Sequence, residues 1–353
     1  MARVRLGIVG CGGMSKAHLH GFYDLDERMQ VTALVDVMPE KAAVAAALFA
    51  GARAVTDFRE ILDDVDALLL SLPHHLHHPI GMTCLKAGKH VLMEKPMANT
   101  EAECLDLIAA AEEAGVTLMV GYVMRYHPLA MEMKRLLQEK AYGDVFHVSL
   151  WTEQLTICSE ERMPWAMDHR TLGGGQLFSH GCHYIDLLLW YLGNPVEGAH
   201  IGTNLGTPWM DWEGTSDVSI RFEDGSVGYH MGTWGARGSR LRYAFHAHCT
   251  EGMLEADFAG NRLLVHTGFK RHTPGQEAED AETETVLMEA ESAKRTHAQI
   301  LHFLDCIETG ALPRTSARDS LQSLRVIWRL YEAERAGKLA DLRGLGLVDF
   351  PHI

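Results

Sequence analysis

Val4-Arg5-Leu6-Gly7-Ile8-Val9-Gly10-Cys11-Gly12-Gly13-Met14-Ser15 is the stretch whose reading decides the fold. A short apolar run ends in closely spaced glycines, a helix-compatible stretch follows to about Tyr23, and a second apolar run spans Val31 to Val35. Strand, glycine turn, helix and strand within about 30 residues open a parallel βαβ unit. Gly10-x-Gly12-x-x-Ser15 departs from the G-x-G-x-x-G dinucleotide pattern only at its third position, where serine is still small enough for close helix-on-strand packing. In this setting Gly10 makes the tight turn, while Gly12, Gly13 and Met14 bring the backbone to a pyrophosphate at the helix N-terminus.

The alternation continues outward. An Ala-rich helix is expected from Pro39 to Ala50, a strand from Ala67 to Leu72, a helix from about Ile80 to Ala87 and a strand from His90 to Met93. A helix at about Glu101 to Ala114 and a strand at Thr117 to Val120 complete a doubly wound Rossmann pattern with right-handed crossovers. Asp36 ends the second strand, where a carboxylate accepts from both adenosine ribose hydroxyls and repels a 2′-phosphate. Val37 and Met38 supply no compensating cation, so NAD is expected rather than NADP.

Beyond Gly121 the pattern changes to alternating runs at Val145 to Trp151, Val196 to Gly202, Ser216 to Phe222, Val227 to Trp234, Leu241 to Cys249 and Gly252 to Phe258. They predict a large, mostly antiparallel open sheet, with a hairpin turn at Glu223-Asp224-Gly225-Ser226. Helices are expected at Phe178 to Leu192, about Ala293 to Glu308 and Ser320 to Ala336, and an exposed acidic loop at Glu277 to Thr285. The fold class is therefore α/β plus α+β: an NAD-binding Rossmann domain over 1–122, then a substrate-binding and oligomerisation domain over 123–353. The last helices are expected to pack back on the first domain.

A formal charge of −15 at pH 7 repels nucleic acid and anionic membranes, which favours a small neutral substrate. No apolar run approaches the roughly 20 residues of a membrane span. The seven cysteines are scattered, without a C-x-x-C pair, which suits a reducing, cytoplasmic setting better than a disulfide framework.

The segment Ser71-Leu72-Pro73-His74-His75-Leu76-His77, with Ala87-Gly88-Lys89-His90-Val91-Leu92-Met93-Glu94-Lys95-Pro96, resembles the glucose-fructose oxidoreductase, inositol dehydrogenase and MocA (Gfo/Idh/MocA) family. The nucleotide turn, Gly121-x-x-x-Arg125, Gly173-Gly174-Gly175 and His183-x-x-Asp186 match in order. The resemblance implies hydride transfer between NAD and a ring hydroxyl of a sugar, polyol or glycoside. It adds Ser71, Pro73, His77, Glu94 and Lys95 to the cofactor side, and Arg125, Trp165, His169 and Arg170 to the substrate side.

The residues make chemical sense in those roles. Oxidising an alcohol requires a partner for the hydroxyl proton, and Lys95 follows a parallel strand at the carboxyl edge where such sheets bind ligands. Ser179, His183 and Asp186 stand at i, i+4 and i+7 and predict one helix face. His183 is the candidate acid or base and Asp186 its orienting partner, so Lys95 and His183 are expected to work as a pair. Ser179 replaces an Asp common in the family, which shifts the proton route onto His183, aided by His180. Small residues beside Trp234 on the Val227 to Trp234 run suggest room for a sugar ring to stack. The histidine groups lack an established zinc spacing, so no metal is expected. Two alternatives stay open: redox-neutral glycoside cleavage through transient oxidation and elimination, and an NAD-binding regulator without turnover. A homodimer or homotetramer is expected from the broad sheet.

Overall fold

The computed structural model describes residues 3–22, 25, 27–268, 283–291 and 296–350. In chain order the first ten elements are β1 (Val4–Val9), α1 (Gly13–Leu19), β2 (Met29–Val35), α2 (Pro39–Ala46), β3 (Arg53–Val55), β4 (Ala67–Leu70), α3 (His77–Lys86), β5 (His90–Met93), α4 (Glu101–Ala114) and β6 (Leu118–Val120). Then follow α5 (Pro128–Gln138), β7 (Val145–Glu153), the single turn α6 (His169–Leu172), a π turn at Leu177–Gly181 and α7 (Cys182–Leu192). The remainder is β8 (Pro195–Thr203), β9 (Thr215–Phe222), β10 (Val227–Thr233), β11 (Tyr243–Cys249), β12 (Gly252–Asp257), β13 (Arg262–Thr267), β14 (Thr283–Glu289), α8 (Thr296–Thr309), α9 (Ala317–Arg335) and β15 (Ala340–Asp341).

The chain divides into two compact units. The first comprises Met1–Tyr126, Arg170–Gly173 and Arg295–Leu324; the second comprises His127–His169, Gly174–Lys294 and Arg325–Ile353.

In the first unit six strands run in the order β3-β2-β1-β4-β5-β6, all parallel. The order reverses between β1 and β4, which is the switch point where doubly wound sheets bind dinucleotides. Strands covered on both faces must be apolar throughout, and Ala67, Leu68, Leu69 and Leu70 are all fully buried. Each buried leucine contributes roughly 1.5–3 kcal/mol. Local signals set the helix limits. Pro39 opens α2 at its first turn, and Thr100 and Glu103 form a reciprocal capping box on α4, which ends at Gly115 with φ 64°. The short strand β3, exposed and without an apolar run, carries no hydrophobic pattern and was not expected from the sequence.

The second unit is built on a nine-stranded sheet, β14-β13-β12-β11-β7-β10-β9-β8-β15. It is antiparallel except for the β7–β10 pair, which runs parallel. The expected hairpin joins β9 to β10, with Gly225 at φ 88°. Helix α5 and strands β13 and β14 are additions to the sequence reading. The start of α5 is nevertheless marked: Pro128 occupies the first turn, and His127 Nδ1 accepts from the Leu129 N–H at 3.2 Å. Of the expected acidic loop, Thr283 to Thr285 belong to β14 rather than to a loop, and residues 277–282 lie outside the described residues. Tyr23 and the expected start of the penultimate helix at Ala293 also lie outside them. All seven cysteines are buried. No described helix is long and apolar enough to cross a membrane.

Candidate active site

Four parallel strands of the first unit end in candidate residues. β1 leads into Gly10, β2 into Asp36, β4 into Ser71 and Pro73, and β5 into Glu94 and Lys95. Gly10 has φ 93°, and a Cβ there would stand 2.1 Å from the Ser71 carbonyl oxygen, so only glycine lets β1 turn this close to β4. A Cβ on Gly12 or Gly13 would meet nothing within 4 Å, and no side chain caps α1. The half-buried Met14 follows in the same turn. Backbone donors at an open helix start fit the phosphates of a dinucleotide. Asp36 accepts from the Cys11 N–H and the Met38 N–H, each at 2.9 Å, which aims its carboxylate while leaving lone pairs for ribose hydroxyls. These residues fit NAD. Asp36→Ala is expected to weaken NAD use by about 10- to 100-fold and narrow the preference over NADP, checked as kcat/KM with each cofactor. An unchanged ratio would contradict this role.

The loop that carries Lys95 is tied down on both sides. Glu94, buried, meets His18 of α1 with Oε1 2.6 Å from Nε2, and its Oε2 accepts from the Lys95 N–H at 3.2 Å. The Lys95–Pro96 peptide is cis. The fully buried His77 ring bridges two loops, Nδ1 lying 2.7 Å from the Pro96 carbonyl and Nε2 3.1 Å from the Leu72 carbonyl. Burial holds its pKa below the ordinary imidazole value. His74 Nδ1 lies 2.7 Å from the Leu172 carbonyl, and Asn99 Nδ2 donates to the Thr171 carbonyl at 3.2 Å. These contacts seat the segment Arg170–Gly173 within the first unit. Lys95 itself is half-buried.

The imidazoles belong to the second unit. Ser179, His180, His183 and Asp186 are all buried there, from 1 to 7% exposed. The regular helix face expected for them is modified: Ser179 and His180 sit in the π turn, and only His183 and Asp186 lie on α7. A π turn widens the helix and swings its side chains relative to the α-helical ones, a distortion frequent at functional sites. The His180 and His183 rings meet edge-on at 6.2 Å.

A buried carboxyl that sequence reasoning missed organises the start of this helix. Glu213 Oε1 accepts from the Tyr331 O–H at 2.7 Å and the Leu177 N–H at 3.1 Å, and the Glu213 carbonyl accepts from the Gln176 N–H at 2.8 Å. Tyr331 Oη accepts in turn from the Gly175 and Phe178 N–H groups, both at 3.2 Å. A Cβ on Gly175 would stand 2.0 Å from Glu213 Oε2. The glycine triplet Gly173-Gly174-Gly175 was thus the one trace of this approach in the sequence.

Burial pushes the Glu213 carboxyl up to about 8, against the opposing hydrogen bonds from Tyr331 and Leu177. The native state then keeps a proton that the unfolded chain releases near its ordinary value. Stability from this group is complete below that value and falls as pH rises toward about 8, by at most about 1.4 kcal/mol per pH unit. Glu213→Gln, which cannot ionise, is expected to lose less melting temperature than the wild type between pH 5 and 8, roughly. Parallel thermal melts across that range check this, and identical slopes would refute it.

Several candidate substrate residues are placed otherwise than expected. Arg125 is fully buried within the first unit, where Nη1 donates to the Arg314 carbonyl at 2.9 Å and lies 3.7 Å from Asp319 Oδ2. That is an internal ion pair rather than a substrate contact. The glycines beside Trp234 leave no room for a sugar ring: a Cβ on Gly228 would meet Leu188 at 3.0 Å, and one on Gly232 would meet Gln176 at 2.5 Å. Their small size admits the helix, and Trp234 is 4% exposed. Trp165 is half-buried and Arg170 exposed. His169 Nδ1 lies 2.7 Å from Asp211 Oδ2. Asp168, His169 and Asp211 bring ligand atoms within 4.8 Å of one another, the one such trio among the described residues. It is partly exposed, and its histidine is already paired with a carboxylate.

Both halves of the chain match known proteins. Residues 4–122 match the family model described as "Oxidoreductase family, NAD-binding Rossmann fold", and residues 130–255 match the "GFO/IDH/MocA C-terminal domain". Among curated relatives, inositol 2-dehydrogenase 2 of Saccharopolyspora erythraea is 30% identical over 63% of this chain and 64% of its own length, just under two thirds. Levoglucosan dehydrogenase of Pseudarthrobacter phenanthrenivorans is 27% identical over 72% of this chain and 73% of its own. A solved levoglucosan dehydrogenase in complex with NADH, 22% identical and covering 100% of both chains, superposes with a TM-score of 0.83, which shows the shared fold. With both family models matched in order along it, the chain belongs to the Gfo/Idh/MocA family of NAD-binding oxidoreductases.

Proposed function

We propose that this protein is a cytoplasmic NAD-dependent dehydrogenase acting on a ring CH–OH group of a sugar, polyol or related compound. The observation that carries the reading is the placement of Lys95 directly after β5, on a loop pinned by Glu94 to α1 and by His77 to the loop after β4. The named activities of the two curated relatives, on an inositol and on an anhydrosugar, support the substrate class.

NAD, when bound, accepts or returns the hydride. The chain's residues handle the rest. The carboxyl ends of β1 and β2 hold the dinucleotide through Gly10, Gly12, Gly13, Met14 and Asp36, with Ser71, Pro73, His77 and Glu94 lining the same sheet edge. Lys95 places an ammonium donor against the reacting oxygen and stabilises negative charge as the hydroxyl proton leaves. His183 exchanges that proton, with Asp186 orienting the imidazole and Ser179 offering a neutral hydrogen bond. Trp165, His169 and Arg170 remain candidates for substrate contact.

A screen of cyclic polyols, aldoses and anhydrosugars for NADH absorbance tests the reading; no NADH with any of them would count against it. Ser179 supports one further reading, because a neutral group replaces the carboxylate expected for net dehydrogenation. Release of a sugar or aglycone from a glycoside, without net NADH, would favour redox-neutral cleavage. A regulator without turnover would keep its effect in both Lys95→Ala and His183→Ala variants. We also propose a homodimer or homotetramer, supported by exposed apolar residues on the sheet strands, Ile201, Val227, Val286 and Leu287. A monomeric mass by light scattering would rule it out.

A further inference from the structure

His18 is a buried histidine that the sequence reading did not single out. It stands on α1 with its side chain 1% exposed, and Nε2 lies 2.6 Å from Oε1 of Glu94, whose side chain is 7% exposed. The other Glu94 oxygen, Oε2, accepts from the Lys95 N–H at 3.2 Å. One carboxyl group is thus held at both oxygens, by a helix on one side and by the lysine's own backbone on the other. Two-point attachment fixes the orientation of the group, and with it the direction of the peptide from which the Lys95 side chain starts. Gly121 leaves room for this arrangement: a Cβ there would stand 3.2 Å from the Glu94 Cα, Cδ and Oε2.

Packing alone does not account for a histidine at this point. His18 Nδ1, Ser15 Oγ and both amide atoms of Gln299 are buried and have no hydrogen-bond partner among the described residues. Ser15 and His18 belong to α1 and Gln299 to α8, and the two helices meet where Thr296 Oγ1 donates to the Ala17 carbonyl at 3.0 Å. Buried polar atoms without partners oppose folding, and an apolar side chain in place of the ring would avoid that cost. What the ring supplies lies at its other nitrogen, a partner for the buried carboxyl group next to Lys95.

We propose that His18 is a positioning residue for Lys95, acting on it through the Glu94 carboxyl group. This deepens the dehydrogenase reading and rests on it for the role of Lys95, but the aim of the lysine side chain is a property of the protein without substrate.

His18→Gln keeps an amide donor at the reach of Nε2, whereas His18→Leu fills the space without one. His18→Leu is expected to lower kcat about 10- to 100-fold, with substrate KM and NADH affinity within about threefold of the wild type. His18→Gln is expected to recover kcat to within about threefold. A role in packing alone would favour leucine over glutamine, and that order would overturn the proposal. So would an unchanged kcat in His18→Leu, or a loss confined to KM. A second measurement needs no substrate: the rate at which dilute acetic anhydride acetylates Lys95 in the full-length protein, read by peptide mass spectrometry. That rate is expected to change about threefold or more in His18→Leu and to stay near the wild-type value in His18→Gln. Equal rates in all three proteins would overturn the proposal. Should leucine prevent folding, His18→Asn, too short to reach Glu94, takes its place in both experiments. Should no substrate yield NADH, the dehydrogenase reading fails, and the acetylation rates still decide whether His18 aims the lysine.

Discussion

Replacing Lys95 with methionine is expected to lower kcat by about 10²–10⁴-fold while leaving NADH binding within roughly threefold of the wild type. Methionine keeps the unbranched stem and removes only the ammonium. The backbone that presents the side chain should persist, because its restraints come from elsewhere: the Glu94 carboxylate receives the Lys95 main-chain N–H, and His77 contacts the Pro96 carbonyl. Steady-state kinetics on the best substrate, with NADH titrated by fluorescence, separate the two quantities. A kcat within tenfold of the wild type would remove Lys95 from the chemistry. Loss of NADH binding alone would make it a cofactor anchor.

Gly10→Ala is expected to destabilise the first unit by about 3–5 kcal/mol, enough to prevent accumulation of folded protein at ordinary temperature. Two costs combine. The residue sits at φ 93°, where an L side chain is strained, and its Cβ would lie 2.1 Å from the Ser71 carbonyl oxygen. That carbonyl cannot retreat easily, because the Ser71 N–H is bonded to the Val9 carbonyl at 2.9 Å as the strand pairing continues. Gly12→Ala is the matched comparison: its added methyl meets nothing within 4 Å. It should fold with nearly wild-type melting temperature and lose NADH affinity, since the methyl stands where the phosphates would approach. Equal stability of both variants would show that the turn does not require glycine at Gly10.

The two expectations also separate what could be read early from what could not. The positions of Gly10, Asp36 and Lys95 were legible because each follows an apolar run closely, and strand ends in a doubly wound sheet share one edge. Five of the six parallel strands followed from the same alternation; β3 did not, because its exposed Arg53 and Ala54 leave no hydrophobic signature. Helix α5 was missed although Pro128 marks its first turn, because the sheet-like texture after Gly121 was extended over it. Arg125 was misjudged for a different reason. The resemblance put it on the substrate side, while its partners Arg314 and Asp319 come nearly two hundred residues later, so nothing near it in the sequence marks the internal pair.

By itself the sequence determined the nucleotide-binding half, the cofactor, the family and the identity of the candidate lysine and histidine, since these rest on local turn chemistry, hydrophobic period and short motifs. Only the tertiary structure decided how the histidine-bearing helix begins and how its rings are held. Glu213 meets Tyr331, and Tyr243 meets His180, across 118 and 63 residues of chain. No periodicity encodes such pairings: they arise when folding brings buried donors and acceptors together and each must find a partner away from water.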